Sequence, residues 1–438
     1  MSLHFSAFMR ERIASTQYVL GAGVVAGLVA MCAPLTALAS EPLPGASVES
    51  LLDLARRINP EYAAMRHEAD AADERILPAG ALPDPKLRIE LQDLTRMGEQ
   101  NPTLSPSEVG STRYTFMQDL PWFGKRALKH DIAVQEAEGA KGRALTTWSA
   151  LSSRIKSGYA QFYYLSQSER LTKGILDLMV RLEKIAQVRY AGGLAVQQDV
   201  IRAQVEQTNL ENELIALDNE RRQTQARLNA LVARPPNAPL AEPERLRPIP
   251  SPVKLDYAAL EDRVRARNPE LFTDDARLKA AEKSRELTYR NRYPDFTVGV
   301  APTQYGNAVK EWMLMVEVNI PLQQSSRRSQ ERESDAMLAA ARDRKEATTN
   351  QVLSELSENV SGLDAARRTE LAIAGSLLPQ AEITFNAALA SYQNGKVDFA
   401  TLLDSQRQIR QAKQNRIKVQ AEEQVRLADI ERLLGEDL

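Results

Sequence analysis

Across 438 residues, 56 basic and 58 acidic side chains nearly cancel, and the net charge of −2 implies no strongly basic face for nucleic acid. Hydrophobic residues make up 43% of the chain and aromatic ones only 5%, too few for the core of a large globular enzyme. Its richness in Ala, Gln, Glu, Arg and Leu favours long helices instead.

Arg10 and Arg12 precede an apolar run from Tyr18 to Leu35 that ends in Ala37-Leu38-Ala39. This pattern predicts a secretory signal peptide, residues 1–39, cleaved after Ala39 and directing the chain to a Gram-negative envelope. An alternative is a lipoprotein with Cys32 as its acylated first residue, although Met31 is a poor residue before such a site. Cys32 is the only cysteine, so cleavage after Ala39 leaves a mature chain without disulfides or thiolate chemistry.

Two copies of one unit follow, predicted as residues 40–234 and 253–438 and joined by a linker at 235–252. Asn59-Pro60-Glu61 recurs as Asn268-Pro269-Glu270, and each proline predicts a helix break. Lys86–Leu94 and Ser111–Leu120 alternate with period two, as do Phe296–Ala301 and Glu311–Ile320, and each pair reads as a strand hairpin. Prolines 83, 85, 121, 294 and 321 bracket the hairpins, where sheet passes into helix. About nine to eleven residues suit a tilted membrane strand. Tyr114, Phe116, Trp122, Tyr293 and Trp312 cluster near the strand ends, as an aromatic girdle requires.

Proline-free Arg126–Arg189 carries apolar residues at helical spacing and predicts a rod about 100 Å long. After it, Ala203, Leu210, Leu217, Thr224 and Leu231 recur every seven residues, with Leu214 and Leu228 completing a coiled-coil seam. The reversal at Tyr190–Val200 has its second copy at Tyr392–Leu402, with Gly193 and Gly395 in register as helix-reversal glycines. The linker lies within Val232–Pro252, which holds seven of the 22 prolines and predicts an extended return path.

Four strands cannot close a membrane barrel, and open sheet edges are forbidden in hydrocarbon, so if these strands span a membrane several chains must share one barrel. In this order of parts the chain resembles the TolC family of outer-membrane efflux factors over essentially its whole mature length. The resemblance implies a mainly α chain with a membrane β-barrel portion. It implies a homotrimer with a shared twelve-stranded barrel and a periplasmic helical barrel, serving as a passive exit duct. It also implies two partners, a periplasmic adaptor protein and an inner-membrane pump. Gln118–Arg126 (QDLPWFGKR) resembles the strand-to-helix junction of the heavy-metal efflux branch, through Gln118, Pro121, Trp122, Gly124, Lys125 and Arg126. That branch implies a proton-driven resistance-nodulation-division pump and heavy-metal cations as cargo, with drugs or secreted polypeptides as the alternative.

The same resemblance places Gly193, Leu194, Gly395 and Lys396 at the adaptor contact. It aligns Asp404 with one of two aspartates that ring the closed periplasmic aperture. Thr401 stands at the other position, and Asp199 holds an analogous place in the first copy. No catalytic constellation, metal site or cofactor is expected. His67 and His130 read as surface residues, and Met313 and Met315 read as packing on one strand face with Glu317. A competing class is a soluble periplasmic coiled-coil adaptor or scaffold, which would place the four strands in an ordinary sheet.

Overall fold

The computed structural model describes residues 43–99 and 101–438. The predicted leader, with His4, Cys32 and Ala39, lies outside them. Two runs of the same element order follow one another. Helices α1 (Val48–Ile58), α2 (Pro60–Glu74) and α3 (Ile76–Gly80) lead to strands β1 (Lys86–Gln92) and β2 (Ser111–Leu120), then to α4 (Lys125–Ala191) and α5 (Gln197–Leu231). In the second run, α6 (Tyr257–Arg267) and α7 (Pro269–Arg290) lead to β3 (Asp295–Tyr305) and β4 (Ala308–Asn319). Helix α8 (Gln324–Ala372) then passes through a π-turn at Ile373–Leu377 into α9 (Leu378–Gln393), and α10 (Phe399–Leu434) returns. The 67 residues of α4 extend about 100 Å at 1.5 Å per residue.

The repeated Asn-Pro pair explains how each run closes on itself. Proline is favoured at the first helical position, and asparagine is a strong N-cap. Asn59 Oδ1 accepts from Tyr62 N at 2.9 Å, and Asn268 Oδ1 accepts from Glu270 N and Leu271 N, both at 2.9 Å. The amide ends reach across to the last turns of the returning helices. Asn59 Nδ2 donates to the Leu231 carbonyl and Asn268 Nδ2 to the Leu433 carbonyl, each at 2.8 Å. Both asparagines are buried. Each therefore ties the first helices of its run to the end of its last helix. Around them lie matching apolar clusters, one built on Leu51, Leu151, Ile155 and Leu228, the other on Leu260, Leu356, Ile430 and Leu434.

The return path is anchored along its length. Asn229 Nδ2 donates to the carbonyls of Pro236 and Ala238, and Gln424 Nε2 donates to that of Arg247. Arg247 meets the buried Glu431 through two bonds of 3.1 and 3.0 Å, and buried Lys156 meets the same carboxylate at 2.7 Å. The predicted seam on α5 is half realised. Ala203, Leu210, Thr224 and Leu228 are buried, while Leu214, Leu217 and Leu231 are only partly covered.

The strands form one antiparallel sheet in the order β1-β2-β3-β4. β1 ends at Gln92, two residues short of the expected Leu94, because Asp93 takes φ +56° and its carboxylate accepts from Met97 N. β3 runs past the expected end at Ala301 to Tyr305, and β4 begins at Ala308, so the turn is only Gly306-Asn307. Pro302 lies inside β3, and the β2–β3 pairing lapses between Arg113–Thr303 and Phe116–Val300, so its missing N–H costs no ladder bond.

The sheet is inside out by the standard of a water-soluble fold. One face carries Leu87, Ile89, Phe116, Val300, Leu314 and Val316, and all are exposed; Leu314 is 81% accessible. The other face carries Lys86, Arg88, Glu90, Arg113, Asp119 and Glu317. Among the described residues no helix lies extensively against the sheet. A soluble scaffold would bury the apolar face against the rest of its fold. Among the described residues no helix is long and apolar enough to cross a membrane.

Replacing Asn268 with Ala removes a cap and strands the Leu433 carbonyl, at a cost of about 2 kcal/mol. Asn268→Asp keeps the acceptor and loses the donor, and its cost falls between wild type and Asn268→Ala. Denaturant unfolding of the two variants, with Asn59→Ala as the matched partner, checks that order.

Candidate functional site

The strand-to-helix junction is held by one buried cation. Lys125 is 6% exposed at its side chain, and its Nζ donates to Asp295 Oδ1 at 2.8 Å and to the Tyr293 carbonyl at 3.0 Å. The same Asp295 oxygen accepts from Trp122 N at 2.8 Å. Gly124 takes φ +85°, a conformation only glycine enters freely, which lets the chain turn sharply into α4. Trp122 stacks on Tyr293 with ring centroids 5.2 Å apart, and Arg126 grips the Gly80 carbonyl through Nε and Nη2. Gln118 donates to the Pro83 carbonyl at 2.7 Å. The motif is thus a joint that locks the start of the first long helix onto β3 of the second run. Sequence reading singled out Lys125 but missed Asp295, which lies 170 residues away.

The two hairpin tips share one geometry. Leu194 N donates to the Arg189 carbonyl at 2.8 Å, and Lys396 N to the Ser391 carbonyl at 2.9 Å. Gly193 and Gly395 have φ of +72° and +71°. Gly193, Leu194, Gly395 and Lys396 are all exposed at the end of the bundle or close to it, with only Leu194 presenting a large apolar side chain. Arg189 joins the tips: it donates to the Gln393 carbonyl at 2.7 Å and to the Leu194 carbonyl at 3.1 Å, and lies over the Tyr392 ring. Beneath them Met179, Leu182, Leu210 and Phe399 form the core that α4, α5, α9 and α10 share.

The three acidic or polar candidates sit in different surroundings. Asp404 is 70% exposed at its side chain, with Arg407 Nη1 4.0 Å away. Thr401 is exposed and engaged by Asp398, the N-cap of α10, which accepts from its N at 2.9 Å and its Oγ1 at 2.6 Å. Asp199 is 8% exposed, turned into the protomer, and burial pushes its carboxyl above the usual range. Burial, and then Asp199 itself, push up the Tyr392 hydroxyl. Asp199 therefore belongs to the contact between the tips, whereas Asp404 stands on the surface. Below them Arg407 and Arg410 on α10 pair with Glu206 and Glu213 on α5, at 2.8 and 3.2 Å.

Farther along α10, Glu423 is 8% exposed, with Glu370 and Arg367 of α8 as its charged neighbours. Glu370 is already engaged by Arg416 and Gln420, at 2.9 and 3.1 Å. Burial, and then repulsion from Glu370, raise the Glu423 carboxyl to about 7. Nothing in the sequence marked it, since a glutamate in a charged helix reads as solvated. His67 and His130 are exposed, as expected. Met117 and Met315 lie over Gly299, where a Cβ would stand 3.1 and 3.2 Å from their side chains, and they fill the gap it leaves.

Two facing hairpins, a long helical bundle and an apolar outer sheet agree with what comparison with known proteins finds. The model of the family described as outer membrane efflux protein matches residues 51–234 and 260–436. The chain belongs to this family. It is a transport channel of the outer membrane with a periplasmic extension, and not an enzyme. The efflux protein is 26% identical over 414 residues to the cobalt-zinc-cadmium resistance protein CzcC of Cupriavidus metallidurans, covering 89% of this chain and 90% of that one. Its fold is similar to that of the outer membrane protein VceC of Vibrio cholerae, with a TM-score of 0.75 at 18% identity, covering 89% of this chain and 96% of that one. It is also similar to the outer-membrane channel OprN, with a TM-score of 0.73 at 17% identity over 89% of both chains. CusC gives a TM-score of 0.69 at 15% identity, over 89% of this chain and 92% of that one.

Two predictions follow from this chemistry. Asp295→Ala leaves Lys125 buried without its counter-charge and destabilises the efflux protein by about 3 kcal/mol, while Lys125→Met with Asp295→Leu costs less than that single change. Melting of the detergent-extracted protein measures both. Glu423, with its folded pKa raised from 4.5 to about 7, contributes stability that is complete below pH 4.5 and lost as the pH rises through 7. Glu423→Gln therefore flattens the stability profile between those values and stabilises the protein at pH 8, as melting across that range would record.

Proposed function

We propose that three copies of this channel close their sheets into one twelve-stranded barrel, continued by a periplasmic helical tunnel, and that the duct exports heavy-metal cations. The observation that carries the assembly is the sheet itself, apolar on its outer face and open at β1 and β4. Unpaired strand edges are not tolerated in hydrocarbon, so the edges must pair between chains. The cargo rests on the relationship to the cobalt-zinc-cadmium resistance protein. The polar face, with Lys86, Arg88, Glu90 and Asp119, then lines a wet lumen. The duct needs no resident cofactor, because tight binding would slow release.

In this reading each chain is exported by a cleaved signal peptide, residues 1–39, and consists of two repeats, 40–234 and 253–438. The exposed tips at Gly193–Leu194 and Gly395–Lys396 meet a periplasmic adaptor, which couples the duct to a proton-driven resistance-nodulation-division pump of the inner membrane. Asp404 rings the aperture with Thr401 beside it. Asp199, turned inward, contributes through the contact between the tips.

Envelope fractionation and the mass of the detergent-extracted species test the assembly: an outer-membrane particle of three chains supports it, and a monomer sinks it. Deletion of the gene then lowers tolerance to cobalt, zinc or cadmium. Sensitivity to drugs alone, with metal tolerance unchanged, transfers the cargo to the drug-efflux alternative. Asp404→Asn lowers the cation-over-anion selectivity of the reconstituted channel by about threefold, since a charged ring at a constriction sets ion preference. Unchanged selectivity removes Asp404 from the aperture.

A further inference from the structure

A groove of about 900 Å³ opens where the apolar face of the sheet meets the first turns of α4. That volume lies within the range of about 300–1,000 Å³ typical of small-molecule sites. Leu120, Phe296, Val298 and Val316, four residues of the apolar outer face, line one side of the groove, and Phe123 and Ala127 of the α4 entry line the other. Its polar lining is Arg126, His130 and Asp131. The two bonds from Arg126 to Gly80 O hold the guanidinium in place, and its Nη1 makes no bond among the described residues. His130 Nδ1 lies 3.6 Å from Asp131, whose other oxygen is 3.3 Å from Lys283. The groove thus joins hydrocarbon-facing surface to a fixed cation and a carboxylate, at the level where membrane strand gives way to periplasmic helix.

We propose that this groove holds one phosphatidylethanolamine molecule of the inner leaflet of the outer membrane. An acyl chain lies against Phe296 and Val298, continuous with the lipid around the barrel. The phosphate meets Arg126 and His130, a charge-assisted contact suited to a guanidinium. The ammonium turns to Asp131. The zwitterion is preferred because the lining carries both signs: Lys283 holds one oxygen of Asp131 and leaves the one facing His130 to accept from the ammonium, a contact that a purely anionic headgroup does not make. A lipid seated there wedges between the sheet and α4 and steadies the joint made by Lys125 and Asp295.

The inference rests on the apolar face being the lipid-facing one, and the test keeps the two apart. Full-length protein is extracted from membranes in mild detergent, stripped of lipid, and offered phosphatidylethanolamine or phosphatidylglycerol before native mass spectrometry. Wild type retains one phosphatidylethanolamine per chain, about tenfold over phosphatidylglycerol, a difference of 1.4 kcal/mol. Ala127→Trp fills the groove without touching the Arg126–Gly80 or Lys125–Asp295 bonds and lowers retention about tenfold, with assembly mass unchanged. Should Ala127→Trp fail to assemble, His130→Glu, on an exposed side chain, lowers retention through the headgroup alone. Equal retention in the variants, equal retention of the two lipids, or a covalent acyl adduct in place of an exchangeable lipid overturns the assignment. Outer-membrane protein that retains no lipid refutes the groove alone, whereas protein absent from the outer membrane refutes the orientation.

Discussion

Backbone hydrogen bonding in a solvent without water governs this molecule. A strand edge in hydrocarbon has no partner unless another strand supplies one, and each unsatisfied group costs several kcal/mol. With β1 and β4 open and the outer face apolar, the sheet is stable only as part of a larger cylinder. The helices inherit their arrangement from that demand. They continue from the strands, and the joint at Lys125 and Asp295 carries the alignment of the sheet into α4. A loose joint there would let the long helix swing against the sheet, so the buried cation does more for geometry than for net stability.

Within the helical part, two asparagines do a similar job at the other end of each repeat. Each caps one helix and clasps the end of another, so the chain's start, return and finish are coupled at two buried points. The proline-rich return path runs between them and is fixed by Arg247 on Glu431, with Lys156 sharing the carboxylate. A charge buried in this way needs every partner, and the arrangement supplies them from α4, α10 and the linker together.

What the sequence made legible is what local chemistry writes. The duplicated Asn-Pro, the reversal glycines, the period-two strands and the proline-free rod of the first copy all survived in the structure. So did the junction stretch, although its sequence reveals only half of the joint, because Asp295 sits in the second copy and no local pattern links it to Lys125. Strand ends were misplaced at Asp93, whose backbone ends β1 early, and at Ala301, beyond which β3 runs on to Tyr305. The inward turn of Asp199 and the crowding of Glu423 against Glu370 depend on which helix faces which, and spacing along one helix does not encode that. Arg189 is the clearest omission: as one arginine at the end of a charged helix it looks solvent-bound, yet it bridges both tips.

The tips, alike in backbone, differ in how their second helices begin. α10 starts under Asp398, which holds Thr401 through both nitrogen and hydroxyl, while α5 starts at Val196 with no side chain to cap it. Uncapped first turns fray more readily. Around the mouth of the assembled tunnel, firm and compliant corners would therefore alternate. A partner pressing on that rim would meet more give at every second corner, so the rim would deform from a round outline towards a three-lobed one.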